Sequence, residues 1–188
     1  MAPSTATVGP VPPASPDPAP RLLDPAGLGD HVDRLFRAAW AMCGRREDAE
    51  DLVQETYARV LARPRWIRRD DDLAYLLRVL RNTNASRLRT RSRRPHEVPL
   101  DEGAEPADPR GHWRPDAGVE AGALFAAISR LPDDFREAIV AIDVVGLSYR
   151  EAGEAFGVRE STMATRLHRA RLRVAAELGD GSGTRGNR

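Results

Sequence analysis

Apolar positions recur at helical spacing from about Leu28 onward. In "HVDRLFRAAWAMCG", Val32, Leu35, Phe36, Ala39, Trp40 and Cys43 share one side, and Gly44 stops the pattern. A second helix is predicted from about Glu47 to Ala62, with Ala49, Leu52, Val53, Thr56 and Val60 on its apolar face and Tyr57 at the edge. Pro64 interrupts in "RPRWIRRDDD". A third helix is predicted from about Asp71 to Arg91, with Leu73, Leu76, Leu77, Leu80 and Leu88 as its stripe. Its first residues belong to the run Asp70, Asp71, Asp72, where the positive end of a helix dipole favours carboxylates.

Helical spacing resumes at about Glu120 in "EAGALFAAISRL". Pro132 opens a further helix through Val145, ended by Gly146. Ser148 and Glu151 have the serine-x-x-glutamate spacing of a capping box. A turn at Gly157 leads to a last helix from about Glu160 to Leu178. No alternating pattern of a β-strand is seen. The segments between and outside these helices are different in kind. Residues 1–20 hold seven prolines and no apolar periodicity, so a disordered arm is expected, reaching residue 26 at the edge of the first helical unit. Residues 95–119 hold five prolines and six carboxylates and little to bury, as a linker does. The tail 179–188 is expected to be disordered. The fold class is therefore all-α: two small helical domains, at 27–94 and 120–178, joined by a flexible acidic linker.

Net charge is only +1 over 188 residues, so no global field draws the chain to nucleic acid or membrane. Its distribution matters more. All 29 basic residues are arginine, so every cationic contact is a guanidinium contact capable of bidentate geometry. Cys43 is the only cysteine, and His31, His96, His112 and His168 lack ligand spacing, so neither a disulfide nor a metal site is expected. No apolar run is long enough to cross a bilayer, and no secretion signal opens the chain, so a cytoplasmic protein without membrane insertion is expected. Nothing supplies a nucleophile or a phosphate loop; neither enzymatic activity nor a cofactor is expected.

Three stretches carry candidate chemistry. The last two helices have helix-turn-helix spacing, with Met163, Leu167, Ala170 and Val174 inward. Ser161, Thr165, His168 and Arg169 project outward, short and polar as a helix in a major groove requires, and Arg166, Arg171 and Arg173 flank them within reach of phosphates. In "RVLRNTNASRLRTRSRRP", six arginines and no acid lie between Arg81 and Arg94. On that helix Tyr75, Arg78, Asn82, Ser86 and Arg89 form a stripe suited equally to unpaired bases and to solvent. The third stretch, "DAEDLVQETY", puts Asp48, Asp51 and Glu55 on one outer face with Gln54 beside them. Carboxylates on a DNA-binding chain suit a basic protein surface or plain solvent.

"DAEDLVQETY", "YLLRVLRN" and "LPDDFREAIV...GLSYREAGEAFGVRESTMATRLHRAR" resemble, in that order, regions two and four of the extracytoplasmic-function (ECF) sigma factors of the sigma-70 family. The resemblance covers residues 28–94 and 120–178. It implies a sigma region 2 helical bundle and a sigma region 4 helix-turn-helix. It implies that Asp48, Asp51, Gln54 and Glu55 dock on the β′ clamp helices of core RNA polymerase, with region four at the β flap. Trp66, Arg68, Tyr75, Arg78, Asn82, Ser86 and Arg89 would then meet the minus-10 promoter element, the loop from Arg63 to Asp72 holding a flipped base. Arg159, Ser161, Thr165, Arg166, His168 and Arg169 would read the minus-35 element. Promoter DNA and an anti-sigma factor are the other implied partners, and a monomer is expected when free.

The sequence departs from the family pattern in four places. Tyr75 stands where tryptophan is usual, and Asp70, Asp71 and Asp72 where glycine and serine are common. Ala152–Gly153 replaces an Ile-Ala pair, removing buried apolar area worth about 1–3 kcal/mol. Ala164 replaces a common basic residue. Two other readings share the residues: a free-standing helix-turn-helix regulator, and a sigma-like protein that holds polymerase without initiating.

Overall fold

A computed structural model of the chain describes residues 21–62, 66–67, 72–93 and 119–183; the predicted linker, most of the N-terminal arm and residues 184–188 lie outside them. Ordered chain begins earlier than the sequence pattern predicts. Arg21–Leu22 is a short strand, β1, and Pro25–His31 a 3-10 helix capped by the Asp24 carboxylate, which accepts from the Ala26 amide at 2.9 Å. Then come α1 (Val32–Cys43) and α2 (Arg46–Leu61), strand β2 (Trp66–Ile67), and α3 (Asp72–Arg93). The expectation of no β structure is corrected here: β1 and β2 pair antiparallel, Arg21 opposite Ile67 and Leu22 opposite Trp66. Two residues per strand are too few for alternation to be legible in sequence.

The second half holds α4 (Val119–Ser129), α5 (Asp133–Ile139), a π-helical turn at Val140–Val144, α6 (Tyr149–Phe156) and α7 (Glu160–Gly183). Pro132 is the N-cap of α5 rather than its first residue, its carbonyl accepting from the Phe135 and Arg136 amides. Helix α7 runs five residues past the predicted end at Leu178.

The predicted stripe of α2 is buried throughout: Ala49, Leu52, Val53, Thr56 and Val60. On α3, Leu73, Leu76, Leu77 and Leu80 are buried, joined by Ala74 and Thr83, but Leu88 is half exposed because the last turns of α3 outrun the bundle. Helix α1 buries more than one stripe. Ala38, Ala41 and Met42 are inside together with Leu35, Phe36 and Ala39, because α1 packs on α2 and α3 and also on α4.

The two halves meet along this seam. The rings of Trp40 and Phe125 lie 4.9 Å apart, a tilted aromatic pair worth about 0.5–1.5 kcal/mol beyond its buried area. Gly44 ends α1 in the left-handed region (φ 77°), its amide donating to the Trp40 carbonyl at 2.7 Å. A Cβ there would lie 2.4 Å from the Ser129 hydroxyl oxygen. Glu137, a buried carboxylate of α5, is met by the Arg81 guanidinium of α3, which also lies 5.5 Å from the Phe156 ring centroid. Burial pushes the Glu137 carboxyl above its ordinary range, and the hydrogen bond from Arg81 opposes that shift.

Candidate functional site

The acidic face belongs to α2. Its inward stripe leaves Asp51 and Gln54 exposed, with Asp48 and Glu55 half exposed beside them. The face is not bare charge. Arg91 of α3 meets Asp48 at 2.8 Å, and the same carboxylate holds the Arg91 guanidinium above its usual range. Arg87 donates to the Asp48 carbonyl at 3.3 Å and stands 3.7 Å from Asp51 and 3.9 Å from Glu55. Arg59 pairs with Glu55 at 2.6 Å within α2. Pairs this exposed contribute little stability, about 0–1 kcal/mol each, but they fix where the carboxylates point.

Arg87 and Arg91 were not among the predicted site residues. They continue the stripe of Leu80 and Asn84 at steps of three and four residues, so helical periodicity carries the signal: the seam against α2 goes on after the leucines stop. Tyr57, at the end of the same motif, has a structural role, donating from its hydroxyl to the Leu28 carbonyl at 2.9 Å and so tying the 3-10 helix to α2.

The stripe predicted on α3 is only partly presented to solvent. Asn82 and Arg89 are exposed, and Ser86 is half exposed, donating to the Asn82 carbonyl and accepting from Arg89. Tyr75 is half buried against the core. Arg78 reaches across the seam, its Nε donating to the Ala155 carbonyl of α6 at 3.1 Å. Among the described residues Trp66 is the most exposed of the large apolar side chains, at 72 %. Arg68, Asp70 and Asp71 lie outside the described residues; Asp72, at the start of α3, pairs with Arg21 at 2.6 Å.

In the helix-turn-helix, the Ser148 hydroxyl accepts from the Glu151 amide and the Glu151 carboxylate accepts from the Ser148 amide at 2.8 Å, a complete capping box. The Ser148 hydroxyl also donates to that carboxylate at 2.6 Å, and this bond, then the one from the Ser148 amide, holds the Glu151 carboxyl below its ordinary range. Gly157 takes φ 69° to end α6. Gly153 answers to a separate demand: a Cβ there would lie 2.8 Å from the Val158 carbonyl oxygen. The departure at Ala152–Gly153 thus admits the turn backbone against α6.

Met163, Leu167, Ala170 and Val174 of α7 are buried as predicted, and Ser161, Thr165, His168 and Arg169 share its exposed side, with Arg159 exposed just before the helix. The flanking arginines are engaged within their own half. Arg166 pairs with Asp134 at 2.8 Å, Arg171 donates twice to Asp143, and Arg173 lies 4.6 Å over the Phe135 ring. Sequence spacing placed them beside the outward polar face but does not reveal acids on another helix.

Among the described residues, no cluster of three or more His, Cys, Asp or Glu side chains is arranged to hold a metal, and no helix is long and apolar enough to cross a membrane. The half-buried Cys43 thiol faces the Asn84 amide oxygen at 3.9 Å, and burial, then Asp48, push it up to about 11.

The Sigma-70 region 2 family model matches residues 28–94, and the Sigma-70, region 4 model matches residues 121–174. The chain is 36% identical over 146 residues to the ECF RNA polymerase sigma factor SigE of Mycolicibacterium smegmatis, spanning 77% of this chain and 57% of that one. It is 33% identical to the ECF RNA polymerase sigma factor EcfG of Rhodopseudomonas palustris, over 78% of this chain and 80% of the relative. Among solved structures, it resembles the sigma factor RpoE of Bartonella quintana, co-crystallised with the anti-sigma factor NepR. The TM-score is 0.60 at 28% identity, covering 82% of this chain and 95% of that one.

Proposed function

The chain belongs to the extracytoplasmic-function sigma factors of the sigma-70 family, regulatory proteins that are not enzymes, and from that premise we propose that it binds core RNA polymerase and directs it to promoters through minus-10 and minus-35 elements. In this reading residues 27–94 form the polymerase and minus-10 unit, and residues 120–178 the minus-35 unit. The protein acts in the cytoplasm, where polymerase is.

The observation that carries the reading most is the outer face of α2. Asp51 and Gln54 stand exposed with Asp48 and Glu55 beside them, steadied by arginines from α3. A carboxylate face repels DNA and suits a basic protein surface, here the β′ clamp helices. On the opposite half, Ser161, Thr165, His168 and Arg169 offer short hydrogen-bonding side chains near the start of a helix, the part that meets base edges in a major groove. Region four also contacts the β flap. No reaction is assigned to the chain itself; the chemistry belongs to polymerase. An anti-sigma factor is the proposed regulator, in line with the RpoE–NepR complex.

Co-elution with purified bacterial core polymerase tests this, wild type beside Asp51→Arg. Wild type is expected to bind and the folded variant to lose at least about tenfold in affinity, as reversal of a charge in a complementary interface does. Binding by neither protein would remove the sigma reading and leave a helix-turn-helix regulator in its place. Equal binding by both would remove the docking assignment alone.

A further inference from the structure

A cleft of about 280 Å³ lies between α2 and α3, at the end of the acidic face. Glu55 and Arg59, one turn apart on α2, form one wall. Ser86 with Thr90 and Arg87 with Arg91, two neighbouring pairs at four-residue spacing on α3, form the other. No apolar or aromatic side chain lines the cleft, and Asp48 and Asp51 stand outside it, so its walls carry three guanidiniums against one carboxylate. The two hydroxyls turn their protons to their own helix, Ser86 to the Asn82 carbonyl and Thr90 to the Ser86 carbonyl. The donors left to the cleft are guanidinium N–H groups, and they are underused. Each guanidinium has five. Among the described residues Arg59 spends one on Glu55 and Arg91 one on Asp48. The Arg87 side chain is only 20 % exposed, yet its one hydrogen bond there is a long one, 3.3 Å to the Asp48 carbonyl. Asp51 and Glu55 stand 3.7 and 3.9 Å from it, beyond hydrogen-bond reach.

We propose that this cleft is a binding site for an oligophosphate anion, held by Arg59, Arg87 and Arg91. Three guanidiniums converging from two helices exceed what the two oxygens of one carboxylate can use, whereas each phosphate of a chain presents its own oxygens to the planar fork of an arginine. The cleft is smaller than the roughly 300–1,000 Å³ pockets that enclose whole drug-sized ligands, and it has no ring or apolar wall on which a base could stack. It therefore takes the phosphates of a ligand and not what they are attached to, so a free oligophosphate and the tail of a nucleotide are equivalent occupants. Glu55 is the one unfavourable group, competing with the anion for Arg59 and Arg87. The site needs neither polymerase nor promoter, and so stands apart from the function proposed above.

Calorimetric titration of the full chain, free of magnesium, tests it with inorganic tripolyphosphate, orthophosphate, ATP and a single-stranded oligonucleotide as probes. One tripolyphosphate is expected per chain, with ATP within about threefold of its affinity and orthophosphate at least about tenfold weaker, because fewer charge-assisted bonds form. The oligonucleotide is expected not to displace it. Arg87→Gln and Arg59→Gln are each expected to weaken tripolyphosphate binding at least about tenfold, as loss of a hydrogen bond to a charged group does. Glu55→Gln is expected to strengthen it about threefold, whereas Glu160→Gln, the same charge change at the exposed start of α7, leaves it within about twofold because salt screens a distant charge. No binding of tripolyphosphate by the folded wild type overturns the proposal. So does binding that neither arginine variant weakens, which would put the anion among other arginines of the chain. ATP at least about tenfold tighter than tripolyphosphate would show that a base is read. An oligonucleotide that displaces tripolyphosphate and loses affinity in the same variants would make the cleft a strand contact. Either of these results also overturns the proposal.

Discussion

Thr83 is fully buried on α3, and its hydroxyl oxygen has no hydrogen-bond partner among the described residues. Thr56, equally buried on α2, donates back to the Leu52 carbonyl at 2.7 Å and so is satisfied. An unmet buried hydroxyl costs about 1–3 kcal/mol of desolvation, and valine has the same shape without it. Thr83→Val is therefore expected to stabilise the protein by about 1 kcal/mol, raising the thermal midpoint by about 2–4 °C for a chain of this size. Calorimetry or a denaturant titration checks it; a lower midpoint would mean that the hydroxyl is bonded in solution.

At the scale of elements, Gly153 sets two effects against each other. Alanine at an interior position of α6 gains about 1 kcal/mol of helix propensity, but its Cβ would press on the Val158 carbonyl, and overpacking of that kind costs about 1–3 kcal/mol. The clash is with backbone, which yields least, so Gly153→Ala is expected to lower the unfolding midpoint and weaken minus-35 binding together. A raised midpoint would show that the turn gives way. The same helix marks how far sequence reading reaches. The stripes of α2 and α7, the capping box and the glycine stops were legible because periodicity and local hydrogen bonding write them into neighbouring residues. Leu88 misled because a period says which face a residue shares but not whether the partner helix extends that far. Arg78, Arg166 and Arg171 were placed on the right faces, yet their engagement with Ala155, Asp134 and Asp143 depends on helices distant in sequence. The ribbon escaped because its two strands are two residues each and lie more than forty residues apart.

The whole molecule is organised about the seam between its halves. Arg78 is exposed but spends its Nε–H on the Ala155 carbonyl, so use of that side chain at minus-10 must share or release a bond that crosses the seam. Gly44 offers a way to open the seam. Gly44→Ala places a Cβ in the left-handed region and against Ser129, and only the second effect acts between the halves. The single variant is expected to expand in small-angle scattering and Gly44→Ala with Ser129→Gly to return toward the compact form; equal profiles for wild type and both variants would show that the contact does not govern compaction. One residue before that glycine stands Cys43, the only thiol in the chain. With its pKa raised to about 11 from an ordinary 9.0, the folded state keeps its proton where the unfolded chain has lost it, so this group favours folding at neutral pH and ceases to as pH rises through 9 toward 11. At neutral pH the native thiolate is about a hundredfold scarcer than that of a free cysteine. Alkylation of the unmodified protein is thus expected to follow a pH profile centred near 11 when the seam is closed and to accelerate whenever the end of α1 breathes. The lone cysteine is a clock for that breathing: its labelling rate times the loosening of the end of α1 from Asn84 of α3, with no reporter group added to the chain.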